Sequence, residues 1–175
     1  ARVFAEIGLS TEATELRREA DAYYKDIQAS MRIAIIKDRG QKILPMIPDT
    51  LELWKESNGS ANGYYGIIAP CLLEIGLPAP DDSKSKLITD ALEQRGGLIA
   101  GISQFHSMAD HAYAYGYWLN CLQRDDVKRV ILGLYSSFAY GMSRDTYSAV
   151  ECTMIRTGEN YWMLPHTYSN TQQDR

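Results

Sequence analysis

What this chain lacks removes several function classes. Its three cysteines, Cys71, Cys121 and Cys152, are widely spaced and never form CxxC. That excludes a disulfide framework and a zinc ribbon, and each reads as a small buried hydrophobe. Compartment is left open by that usage. No GxGxxG or GKS/T phosphate loop occurs, and no GxSxG nucleophile elbow. The net charge of −4 and the absence of any Lys/Arg run leave no electrostatic footprint for nucleic acid or an anionic membrane. The longest nearly apolar run, residues 66–73, is far too short to span a bilayer. No repeat of fixed period is present, so TPR, HEAT and ankyrin arrays are set aside. No signal-peptide pattern opens the sequence. Residue 1 is Ala, not Met, so the start is expected to have been processed or lost.

What remains is an ordinary soluble composition, 45% apolar and 23% charged over 175 residues. That fits one domain able to bury a core. Helical periodicity dominates. After a helix-compatible opening stopped by Gly8, a helix over 10–37 is expected, with Ser10 as N-cap. Its apolar stripe is Leu16, Ala20, Tyr23, Ile27, Met31 and Ala34, at spacings of 4, 3, 4, 4 and 3. Residues 41–62 hold Pro45, Pro48 and Gly59 and read as a long connection carrying Trp54. A buried helix follows over 62–75, kinked or started late by Pro70. Another is capped by Asp81 or Asp82 and runs over 83–93 until Arg95-Gly96-Gly97 breaks it.

The centre of the chain, residues 105–151, is the most informative stretch. It holds half of the twelve tyrosines. A helix over 108–122, capped by Ser107, is apolar or aromatic nearly all round and is expected to be an inner helix. A very short turn leads to an outer helix over 126–140 with the single stripe Val127, Val130, Ile131, Leu134 and Phe138. Inner and outer helices in alternation predict an all-α fold of layered helical hairpins.

Aromatic rings beside carboxylates suit a sugar-binding cleft. Glycoside hydrolysis needs one carboxylic acid and one carboxylate. Glu151, between Val150 and Cys152 with few other charges nearby, is the candidate proton donor. Asp110, in the first turn of the inner helix, is the candidate base or substrate anchor. The blander readings are an ion pair of Glu151 with Arg144 or Arg156, and a helix-dipole role for Asp110. Antiparallel helices bring Asp110 and Glu151 to one end of the hairpin if 143–150 folds back. His106, Arg144, Asp145, Trp54, Glu93 and Arg95 are candidate substrate contacts. Tyr113, Tyr115 and Tyr117 alternate by two, fan around a helix, and read as packing. His106 and Asp110 share a helical face without a third ligand, so neither metal nor other cofactor is expected.

At residues 93–97, 106–110, 125–141 and above all Gly141-Met142-Ser143-Arg144-Asp145-Thr146-Tyr147 followed by Glu151, the chain resembles bacterial six-hairpin, (α/α)6-toroid glycosidase-like proteins. The resemblance implies a helical toroid with its cleft at one end and carboxylates on inner-helix loops, matched here by Glu151 and Asp110. A full toroid of twelve helices needs on the order of 300 residues. Residues 1–175 are therefore expected to be one helical-hairpin unit, part of a larger catalytic domain. Its partners would be an oligo- or polysaccharide and the remainder of a larger chain or another subunit. Two further readings stay open. One is a helical interaction module without chemistry, marked by an exposed apolar face. The other is a polysaccharide lyase on the same scaffold, with a Tyr or His as base.

Overall fold

The computed structural model describes residues 1–45, 65–105, 108–142, 152–154 and 160–161. It divides into two compact units, Ala1–Ile35 and Ile36–Arg175.

The first unit is a helical pair. Helix α1 (Arg2–Glu6) ends at Ile7, and Gly8 takes the left-handed conformation (φ 86°) that reverses the chain. Helix α2 (Ser10–Ala34) follows, and α1 packs back against it. Ser10 is the first helical residue, and no side chain caps this end. Of the stripe read from the sequence, Met31 and Ala34 are buried, while Leu16 and Tyr23 are exposed.

The second unit opens with a hairpin, β1 (Ile36–Asp38) and β2 (Gln41–Ile43), paired Ile36 to Ile43. The turn residues Arg39 and Gly40 both have positive φ, the geometry that matches strand twist in a two-residue hairpin. Helix α3 (Tyr65–Glu74) runs through Pro70 without ending there. Proline has no N–H to give to the carbonyl four residues back. Helix α4 (Ser83–Gln94) is capped by Asp82, whose carboxylate accepts the Lys84 N–H at 2.8 Å.

A five-stranded antiparallel sheet then forms in chain order: β3 (Leu98–Ile99), β4 (Ile102–Phe105), β5 (Met108–Asp110), β6 (Cys152–Met154) and β7 (Asn160–Tyr161). Ala100 and Gly101, again both at positive φ, make the β3–β4 turn. Between β5 and β6 the chain leaves the sheet as a short 3-10 turn (Ala112–Ala114), helix α5 (Tyr115–Gln123) and helix α6 (Val127–Tyr140). The core lies among Tyr65, Ala69 and Leu73 of α3, Ile88 and Leu92 of α4, Ile102 of β4, and Tyr117 and Cys121 of α5. Helices α3 and α5 meet backbone to backbone: a Cβ on Gly116 would fall inside the Pro70 carbonyl oxygen.

The all-α expectation is therefore corrected. The chain is a mixed α/β protein with two antiparallel sheets, not a partial (α/α)6 toroid. The helix expected to reach residue 37 stops at Ala34, because the Ile-Lys-Asp-Arg-Gly-Gln-Lys-Ile run is satisfied as a hairpin. The inner helix expected from 108 begins at 115. Residues 108–110 pair on both sides, with β4 and with β6.

Candidate functional site

Asp110 closes β5 and is 2% exposed. Its register partner across the ladder is Cys152. One carboxylate oxygen accepts the Ala112 N–H at 3.0 Å, an Asx-type bond that starts the 3-10 turn. The other accepts the Cys152 thiol at 3.3 Å. Sequence reasoning expected Asp110 near the segment around Glu151. A β-ladder to Cys152, rather than a helix end, does bring Asp110 to that part of the chain. Glu151 itself lies outside the described residues, as do His106, Arg144, Asp145 and Trp54.

His111 follows and is 4% exposed, and among the described residues neither ring nitrogen makes a well-formed hydrogen bond. Burial pushes its pKa down to about 4, against a smaller opposing pull from the nearby Tyr140 backbone. The ring lies on Gly141, where a Cβ would come within 2.7 Å of Nδ1.

Glu93 and Arg95 are both occupied. Glu93, near the end of α4, accepts the Tyr117 hydroxyl at 2.8 Å. It also takes Arg129 in a two-pronged pair, Nε at 2.5 Å and Nη2 at 2.8 Å. Arg129 reaches on to Asp126 through its other amino group. The cluster fastens α4, α5 and α6 together. The Glu93 bonds raise the Arg129 pKa above its ordinary value, and burial, then Glu93, raises that of Tyr117. Arg95 donates to Asp38 Oδ2 at 2.5 Å, to the Asp38 carbonyl at 2.8 Å and to the Gln41 side chain at 3.1 Å. It thereby pins the β1–β2 hairpin to the end of α4. Glu93, Arg95 and Asp110 do not form one cluster of mutual hydrogen bonds.

Among the described residues, no group of three or more His, Cys, Asp or Glu is placed to hold a metal ion. No described helix is long and apolar enough to cross a membrane.

The feature that stands out is α6. Val127, Ile131, Leu134 and Phe138, at spacings of 4, 3 and 4, are exposed, and Tyr135 flanks them. Tyr135 is 72% exposed. The buried side of α6 carries Gly133 and Ser136 instead. Trp118 of α5 explains this inversion. Its indole lies where a Cβ on Gly133 would be and donates to the Gly101 carbonyl at 2.6 Å. The sequence showed the stripe but not that its face is left open. The small residues opposite it were the available signal.

No family model, curated protein or solved structure matches this chain. The toroid resemblance was the scaffold for the glycosidase assignment. Two antiparallel sheets stand in its place, and no relative carries the glycosidase reading.

Proposed function

We propose that this chain is an interaction module that docks a partner along the apolar face of α6, the partner offering an apolar helical stripe of its own. The observation that carries the reading is the exposed run Val127, Ile131, Leu134 and Phe138 on one helix. Single exposed hydrophobics are ordinary, whereas a contiguous face marks a binding surface. An apolar face of the usual size, roughly 300–600 Å², gives about 8–15 kcal/mol gross at ~25 cal/mol per Å². Association costs ~4–15 kcal/mol. The stripe alone therefore supports weak binding, and a lasting complex needs contacts beyond it.

The test uses the chain alone, by sedimentation velocity and bis-ANS fluorescence. Wild type is expected to bind the dye and to form a reversible higher-mass species. The double substitution Ile131→Glu, Phe138→Glu is expected to reduce both while leaving the far-ultraviolet circular dichroism unchanged. A wild-type chain that stays monomeric and dye-silent sinks the reading. So does turnover of aryl glycosides, or release of unsaturated sugars, by the isolated chain.

A further inference from the structure

His111 sits where three pieces of chain meet. It follows β5, its ring is buried, and among the described residues neither nitrogen makes a well-formed hydrogen bond, the Tyr140 backbone acting on the ring only weakly. It packs on Gly141 at the end of α6, so closely that a Cβ there would lie within 2.7 Å of both Nδ1 and the Ser137 carbonyl oxygen. That last turn of α6 is held by two further bonds. The Gly141 N–H donates to the Ser137 carbonyl at 2.8 Å, and the Thr153 hydroxyl of β6 donates to the Tyr140 carbonyl at 2.6 Å. An unpaired imidazole in such a place is acting as a spacer. Neutral, it fills volume and loses two hydrogen bonds that water would have given. Charged, it carries two donors and a full charge into a buried site where, among the described residues, only the Tyr140 backbone offers it partial relief.

Among the described residues, the surroundings relieve that charge only in part. From its own strand, the neighbouring Asp110 carboxylate is engaged by the Ala112 N–H and the Cys152 thiol. From α6 come the Tyr140 phenol, which is exposed, and the backbone carbonyls of the final turn. From β6 come the Cys152 thiol and the Thr153 hydroxyl, each already donating elsewhere.

We propose that His111 is an acid-sensitive latch, which ties the last turn of α6 to the end of β5 while neutral and lets that turn open when it takes a proton. The direction follows from linkage. The ring in the closed state titrates at about 4 and in the open state near 6.5. Above pH 6.5 both states are neutral and the latch holds fully. Below it the open state binds the proton first, so closure weakens progressively until the closed ring also titrates. Between pH 7 and pH 5 the opening equilibrium is expected to rise about twenty-fold.

The latch is measured on the isolated chain and does not depend on whether α6 docks a partner. Nuclear magnetic resonance follows the His111 ring signals against pH, together with amide exchange at Tyr140 and Gly141 corrected for intrinsic rates. The expected result is a His111 midpoint well below 6 and an approximately twenty-fold rise in opening at Tyr140 and Gly141, with no such rise at Leu73 in α3. His111→Gln is expected to flatten that pH dependence. A ring midpoint at or above 6 in wild type overturns the latch even if the variant fails to fold. An unchanged pH dependence in His111→Gln overturns it as well.

Discussion

Helices α5 and α6 are joined by three residues and use their apolar side chains in opposite ways. In α5 Gly116, Tyr117 and Cys121 are buried against α3 and its surroundings, and Leu122 alone of its large apolar residues is exposed. In α6 the large apolar residues face outward, and the buried side is Gly133 and Ser136. The two helices also meet their neighbours differently. Helix α5 contacts α3 through bare backbone at Gly116, whereas α6 contacts α5 through an indole laid on Gly133. The lesson is that a stripe shows a helix to be amphipathic without showing which face is covered. Close approach is decided by the small residues, because they set how near the next element can come.

The comparison can be broken most forcefully at Gly116. Gly116→Ala forces a methyl into the Pro70 carbonyl, backbone against backbone, so neither side can yield by changing a rotamer. A loss of about 3 kcal/mol or more is expected in urea unfolding. A loss under 1 kcal/mol would show that α3 and α5 are not in contact there. Gly133→Ala meets the Trp118 ring instead, which can swing away at the cost of its bond to Gly101. It should destabilise by about 2 kcal/mol. A red shift in tryptophan emission would accompany it.

Glu93→Ala comes next. It leaves the Tyr117 hydroxyl without its acceptor and dissolves the two-pronged pair with Arg129. Partial exposure of that pair screens its share, so about 1–2 kcal/mol is expected. Tyr117→Phe should recover part of this in the Glu93→Ala background if the two residues are coupled, and a strictly additive double mutant would refute the clamp. The smallest effect is expected on the open face. Phe138→Glu should change stability by no more than about 0.5 kcal/mol. A larger loss would mean that this face is covered in the isolated chain.

Much of the fold was legible wherever a local rule and the tertiary structure agree. Gly8, the Asp82 cap, the break after Gln94 and the stop at Gly141 follow from helix-end chemistry, and all lie within a residue of their expected places. The strands were not legible because they are two to four residues long, too short to display an alternation. Residues 108–110 were absorbed into the following helical pattern. Met, Ala and Asp are compatible with either state, and only pairing with β4 and β6 decides between them. The β1–β2 hairpin did carry a signal. Its two-residue turn, Arg39-Gly40, lies between Ile-Lys-Asp and Gln-Lys-Ile and was read as the end of a helix.

Of the candidate site, the sequence located Asp110, Glu93 and Arg95 as special positions. It could not show that hydrogen bonds already engage all three, since their partners come from distant segments: Cys152, Arg129 and Asp38. His111 is not among the candidate residues that the sequence marks. Its importance rests on burial without a partner, which no spacing rule encodes.

The order of the five-stranded sheet has a consequence for synthesis. Strands β3, β4 and β5 emerge in sequence, but β6, which completes β5, begins at Cys152, 42 residues after its register partner Asp110. At ~5–20 residues per second, ribosomal elongation leaves the far edge of β5 unpaired for roughly 2–8 s. During that interval β5 is a short edge strand able to accept the wrong neighbour. Its brevity, three residues ending in a charged one, limits what can pair with it. Helices α5 and α6 are made in the same interval. Helix α5, which meets α3 at Gly116, is thus synthesised before the last two strands.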